Sequence, residues 1–282
     1  MTSLANTYHH NSRISGKFRD LRLKSEGALI TYLTGADPDP TTFQSNVESL
    51  VEGGADIVEI GIPFSDPIAD GPVIQQSSYR ALTHGVSPKG ILNQIGKLSK
   101  TIDVPIVVLT YYNPVIAVGP DEFMRIAAVS GVNGIVVPDL PVEESDSLLQ
   151  SAERNHVDTI FLASPNTSPE RLRRIIEKTT GFLYLVSLFG VTGARKQLDP
   201  RAVNVVKTTK KLASDKIPVA AGFGISTPDH VSTLIEAGAS GAIVGSLLVD
   251  IVNNHLNQPT QAGKKLREVV SELKAATRAR GA

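Results

Sequence analysis

The chain contains no cysteine, so disulfides, thiolate catalysis, cysteine-based zinc sites and iron–sulfur clusters are excluded together. Net charge is missing as well: 28 Lys and Arg balance 28 Asp and Glu. Nothing electrostatic marks nucleic acid or an anionic membrane as the main partner, and specificity has to come from local sites. No apolar run reaches the roughly 20 residues of a membrane span, and the opening MTSLANTYHHNSRISGKFRD has no apolar core of signal-peptide length. A soluble, cytoplasmic protein is the expectation. His9 and His10 stand in a polar tail, where adjacent histidines are more often solvated than metal-bound.

The 282 residues, 41% of them hydrophobic and 20% charged, suit one large globular domain over residues 1–282, with residues 1–11 as a flexible tail. Eight short apolar runs recur: ALITYLT (28–34), DIVEIGI (56–62), VPIVVLTYY (104–112), GIVVPDL (134–140), DTIFLAS (158–164), FLYLVSL (182–188), IPVAAGF (217–223) and GAIVGS (241–246). Near-continuous apolarity is the mark of strands covered on both faces in a parallel sheet. Helical patterns separate them, three of which open on Ser87-Pro88, Ser168-Pro169 and Thr227-Pro228, a capping hydroxyl followed by proline at the first helical position. EGGAD, VSGVNG and EAGASG place glycine where helices end in a left-handed residue. Eight strand and helix units in about 250 residues predict an α/β fold, a single (β/α)8 TIM barrel, in preference to a doubly wound sheet. Residues 12–23 are expected to form a short helix closing the bottom of the barrel, and 260–280 an extra C-terminal helix.

Active-site groups of such barrels lie at the C-terminal ends of strands. Glu59 sits inside DIVEIGI between Val58 and Ile60, and period-2 alternation turns it to the face opposite those neighbours. If they pack on the outer helices, Glu59 points into the barrel mouth, where desolvation raises its pKa and fits it for proton transfer. The alternative is a carboxylate paired with a buried Lys or Arg. The following segment, PFSDPIADGPVIQ (63–75), reads as a long loop stiffened by three prolines and carries Asp66 and Asp70. Either aspartate fits a catalytic or a turn-capping part, and the residues alone do not choose between them.

A second constellation is the glycines at the ends of strands six to eight: Gly190 and Gly193 in SLFGVTGARK, Gly222 and Gly224 in GFGIS, and Gly245 before Ser246 in VGS. Glycine lets backbone N–H groups approach an anion, and a following helix N-terminus adds a favourable dipole, so a phosphate site is expected here. P-loop, dinucleotide, GxSxG, HExxH and EF-hand patterns do not occur. His84, His156, His230 and His255 lack metal-ligand spacing, and Glu143-Glu144 at a helix start read as structural.

The segments GADIVEIGIPFSDPIADGPVIQ, LTYYNP, PDLPVEES, SLFGVTGAR, GFGIS and GAIVGS, in this order over about residues 25–255, resemble the tryptophan synthase alpha family. That resemblance implies retro-aldol cleavage of indole-3-glycerol phosphate to indole and glyceraldehyde 3-phosphate, with Glu59 and Asp70 as the catalytic pair; it promotes Asp70 over Asp66. Glu59 then shuttles the proton and Asp70 binds the indole N–H. Tyr32, Leu109 and Tyr184 match positions around the substrate, with Tyr111 and Asp139 nearby. Tyr32 stands where many relatives carry phenylalanine. Thr192 matches the residue of the mobile loop that closes on Asp70, and Gly193, Gly224, Gly245 and Ser246 match phosphate contacts. The family implies no metal or organic cofactor in this chain. It implies an alpha2-beta2 complex with a beta subunit that holds pyridoxal phosphate, Asp66 and its loop facing that partner. A stand-alone indole-3-glycerol-phosphate lyase would use the same residues; against a non-catalytic barrel that binds a phosphorylated ligand and activates a partner stand Glu59, Asp70, Thr192 and the phosphate-loop glycines, since a pure binder has no need of a carboxylate desolvated in a strand.

Overall fold

An all-apolar strand has no face to give to water, so it needs partners along both edges and cover on both faces. The computed structural model, which describes residues 12–186, 198, 200–222 and 224–278, meets that demand with nine short parallel strands among those residues. They are β1 (Ala28–Thr34), β2 (Ile57–Gly61), β3 (Ile106–Leu109), β4 (Gly134–Val136), β5 (Asp158–Ile160), β6 (Leu162–Ala163), β7 (Leu183–Val186), β8 (Val219–Gly222) and β9 (Gly241–Val244). Hydrogen bonding runs β5-β4-β3-β2-β1-β9-β8-β7-β6. Only Phe161 separates β5 from β6, so the two ends of this order are one chain segment, pairing with β4 through its first half and with β7 through its second. The sheet closes into an eight-segment cylinder, the (β/α)8 barrel anticipated above.

Helices alternate with the strands. They are α1 (Arg13–Leu23), α2 (Pro40–Glu52), α3 (Pro72–Leu82), α4 (Pro88–Leu98), α5 (Tyr112–Val118), α6 (Pro120–Val129), α7 (Asp146–Arg154), α8 (Pro169–Lys178), α9 (Pro200–Ala213), α10 (Pro228–Glu236), α11 (Ser246–Asn253) and α12 (Pro259–Ala275). The expected starts hold: Ser87, Ser168 and Thr227 each cap a helix with proline in its first turn. The expected stops hold as well, with Gly54, Gly131 and Gly238 at φ of 103°, 82° and 101°. Glu143 and Glu144 lie in a 3-10 turn, and Glu143 pairs with Arg171 at 3.1 Å. No helix among the described residues is long and apolar enough to cross a membrane.

Two helices went unread in the sequence. α3 begins at Pro72, so the segment taken as loop to residue 75 ends at Gly71; its buried face is Ser77, Ser78 and Ala81, which gives no hydrophobic period. α5 has only seven residues, too few for a period to emerge.

The barrel has two apolar layers. Ile30, Ile57, Val107, Val136, Ile160 and Ile243 fill its lower interior, joined from below by Ile14, Phe18 and Leu21 of α1. These three side chains, at about 1.5–3 kcal/mol each on burial, hold α1 as the floor that the sequence reading expected. Val58, Ile60, Val108 and Ile135 face outward into the helical shell. α12 locks this shell at the strand N-termini: Lys274 Nζ lies 3.0 Å from Glu26 and 2.9 Å from Asp56, and Asp56 accepts the Leu29 N–H at 2.7 Å.

Lys274→Met should leave two largely buried carboxylates without their shared cation. A loss of about 3 kcal/mol, read by urea unfolding, is the expected outcome.

Candidate active site

Strand β2 decides where Glu59 goes. Ile57 belongs to the barrel interior and Val58 and Ile60 to the outer shell, so alternation sends Glu59 inward, one layer above Ile57. Its register partners are Tyr32 on β1 and Val107 on β3. The side chain is 0% exposed, and neither carboxylate oxygen has a hydrogen-bond partner among the described residues, so no buried Lys or Arg there neutralises it. Burial, with the charge of Asp70 added, pushes the Glu59 carboxyl up to about 8.

The loop after β2 is tied down at several points. Ile62 donates to the Leu109 carbonyl at 2.8 Å, Asp70 N–H to the Pro67 carbonyl at 3.1 Å, and Gln75 Nε2 to the Asp70 carbonyl at 2.9 Å. Tyr111, at the end of the chain leaving β3, stacks on Phe64 with centroids 5.2 Å apart, and its hydroxyl accepts the Ala69 N–H at 2.9 Å. The Tyr111 hydroxyl favours the ionised form of the Asp70 carboxyl. Burial raises Asp70 to about 6, partly offset by Tyr111. Asp66, in contrast, is exposed, and its carboxylate accepts from the Ser65 hydroxyl at 2.5 Å. The fold thus turns one aspartate toward Glu59 and the other toward solvent.

Aromatic rings wall the space above the two carboxyls. Tyr32 lies across Gly61: a Cβ there would come within 2.2 Å of Tyr32 Oη, so glycine is required. Tyr184 on β7 and Tyr32 both have hydroxyl pKa values raised by burial, with Glu59 and Asp70 adding to the effect. Leu109 is half-buried at the end of β3. Asp139 acts one step away: its two oxygens accept the Tyr112 N–H at 2.9 and 3.2 Å, which fixes the backbone beside Tyr111. A cavity of about 140 Å³ opens next to Asp139, between Pro138, Leu140, Phe161 and Arg171. Neither Glu59 nor Asp70 lines it.

At the other end, β8 stops at Gly222, and Gly224 takes φ +65° with open space where a Cβ would stand. The chain then enters α10, where Thr227 caps the His230 N–H and the Ser226 N–H is held by His230 Nδ1 at 3.3 Å. Gly245 caps α11 without a side-chain acceptor, and Ser246 is exposed at its first position. An uncapped helix start with a glycine-bearing turn beside it is suited to an anion. Gly245 also lies against Tyr32, 3.5 Å from its Cβ by the position a side chain would take, so this helix start and the carboxyl end share a wall. Thr192 and Gly193 lie outside the described residues. Among the described residues no group of three His, Cys, Asp or Glu is placed to hold a metal ion.

The sequence reading did not single out Thr34, Phe64 or Ser77, all of which touch this site's framework. Period 2 from Tyr32 would have found Thr34; no local signal points to the others.

Comparison with known proteins agrees over most of the chain. The family model described as "Tryptophan synthase alpha chain" matches residues 18–278. The tryptophan synthase alpha chain of Methanoregula boonei is 45% identical over 90% of this chain and 95% of its own, and that of Pyrococcus abyssi 46% identical over 88% and 98%. Among solved structures, a Mycobacterium tuberculosis tryptophan synthase superposes with a TM-score of 0.86 at 36% identity, covering 95% of this chain and 98% of that one. A chain of the Pyrococcus furiosus tryptophan synthase a2b2 complex gives 0.83 at 41% identity, covering 89% and 99%. With its closed barrel, its inward-facing glutamate and these relatives, the chain belongs to the tryptophan synthase alpha chain family.

Proposed function

We propose that the chain catalyses the retro-aldol cleavage of indole-3-glycerol phosphate, with Glu59 as proton shuttle and Asp70 as acceptor for the indole N–H. The observation that carries this reading is Glu59 itself, fully buried and unpartnered among the described residues, with its pKa at about 8. A desolvated carboxyl of this kind is protonated at neutrality and close enough to its pKa to give and take a proton.

Glu59 delivers its proton to the ring carbon that bears the glycerol chain, and positive character builds on the indole nitrogen. The ionised Asp70 stabilises that charge through the N–H. Glu59, now a carboxylate, takes the proton of the adjacent glycerol hydroxyl; the O–H electrons form the aldehyde C=O, and the broken C–C bond returns its electrons to the ring. One proton has moved from hydroxyl to carbon, and Glu59 is restored. The scheme needs no metal or organic cofactor in this chain. Tyr32, Leu109 and Tyr184 are assigned to the indole and glycerol walls, while Tyr111 and Asp139 hold Asp70 in place. Gly224, Gly245 and Ser246, with Thr192 and Gly193, are assigned to the phosphate. Released indole passes to a pyridoxal-phosphate beta subunit in an alpha2-beta2 complex, and the exposed Asp66 and Ile68 of the catalytic loop offer a contact surface for it.

Glu59→Gln should cut indole release by about 10²- to 10⁴-fold, and Asp70→Asn by about 10²- to 10³-fold; near-wild-type rates in both would remove the assignment. The wild-type kcat/KM profile should be a bell. Asp70 loses its charge as pH falls through about 6, and Glu59 loses its proton as pH rises through about 8.

Stability gives an independent check. An unfolded glutamate ionises from its ordinary value of 4.5 upward, whereas the folded Glu59 stays protonated to about 8, so the folded state is penalised increasingly across that window. Glu59→Gln should therefore raise unfolding free energy by a few kcal/mol at pH 8 and by little near pH 4.5, as followed by denaturant titration.

A further inference from the structure

The turn between β8 and α10 passes through Gly224, Ile225, Ser226 and Thr227, and its hydrogen bonding is uneven. Of these four backbone N–H groups only that of Ser226 has a partner among the described residues, the Nδ1 of His230 at 3.3 Å. His230 gives its own N–H to the Thr227 hydroxyl at 3.3 Å. Thr227 is the N-cap of α10, and His230 is its third helical residue. The two residues exchange bonds much as in a capping box, where a Glu or Gln at the third position reaches back to the N-cap N–H. In this chain an imidazole takes that position and reaches one residue further, to Ser226.

Imidazole in place of an acid changes the charge at the helix start. A ring nitrogen that accepts an N–H carries no proton, so the proton of His230 lies on Nε2 and the side chain is neutral. Nε2 has no partner among the described residues, so no carboxylate there holds the ring in its charged form. A glutamate at this position would make the same bond and would gain from the helix dipole. It would also set a negative charge where His230 is only 3% exposed. The neighbouring Asp229 is exposed, and water screens its charge. A neutral acceptor at the third position therefore leaves the dipole to another anion. With the Ser226 N–H held, those of Gly224, Ile225 and Thr227 remain for a ligand in a turn that Gly224 opens at φ +65°.

We propose that His230 is a positioning residue of the phosphate end, holding the Ser226 N–H with a neutral acceptor so that the turn is set while its charge is left for the phosphate. This rests on the assignment of Gly224 to the phosphate given above.

The test compares His230→Gln, His230→Leu and His230→Glu by kcat and KM for indole-3-glycerol phosphate and by competitive inhibition with inorganic phosphate. Glutamine keeps a neutral acceptor and should keep the parent KM and inhibition constant. Leucine has no acceptor, and both constants should rise about tenfold with kcat retained. Glutamate keeps the bond but adds the charge, and both should rise by about tenfold or more. If His230→Glu does not fold, the contrast between Gln and Leu decides. Unchanged constants in both Leu and Glu variants overturn the proposal, as does a fall in kcat at constant KM or a Gln variant as impaired as Leu. Ser246→Asp separates the two levels. Parent-like phosphate inhibition there removes the phosphate assignment itself, whereas weakened inhibition beside unaffected His230 variants removes only the role of His230.

Discussion

A carboxyl group sealed inside a barrel without a cation to match it is the constraint on which the rest of this molecule depends. Glu59 has lost its water and has no hydrogen-bond partner among the described residues. Ionised, it would meet a large desolvation penalty, so it stays protonated to about 8. Only a scaffold with stability to spare keeps such a group, and the two apolar layers, the α1 floor and the ionic lock at Lys274 supply it. The strain is local, as expected where a site departs from the rules that the rest of the fold obeys.

The second carboxyl is mounted differently. Asp70 rides on a loop, yet that loop is fixed by Tyr111 from the β3 end, by Gln75 from α3, and by the stacked Phe64. Asp139 holds the Tyr112 backbone, so a residue with no bond of its own to Asp70 determines where the Tyr111 hydroxyl stands. Burial lifts Asp70 only to about 6, low enough to stay ionised at neutrality while Glu59 remains protonated. Two residues of one chemical type are thus driven to opposite protonation states by environment, the arrangement that an acid and an electrostatic stabiliser require.

The parallel strands were legible because their apolar runs have no polar face, and Ser87-Pro88, Ser168-Pro169 and Thr227-Pro228 marked helix starts by cap chemistry alone. Glu59 was legible for the same reason, as a charge in the wrong company. Helix α3 was not, since Ser77, Ser78 and Ala81 bury its inner face without a hydrophobic period. Asp66 and Asp70 share a local context of proline and glycine. What separates them physically is Tyr111, 41 positions beyond Asp70 by residue number, and such a contact leaves no trace in the local sequence. The Thr34–Ser77 bond spans 43 residues and was hidden for that reason.

The protonation state of Glu59 in the resting protein is the quantity from which activity, pH dependence and stability all follow. It can be read directly as the infrared carboxyl band in the difference between wild type and Glu59→Gln, followed from pH 5 to pH 9. A protonated-carboxyl band that persists through neutrality and disappears near pH 8 is the predicted result. A band already lost by pH 6, showing an ordinary ionised glutamate, would contradict it.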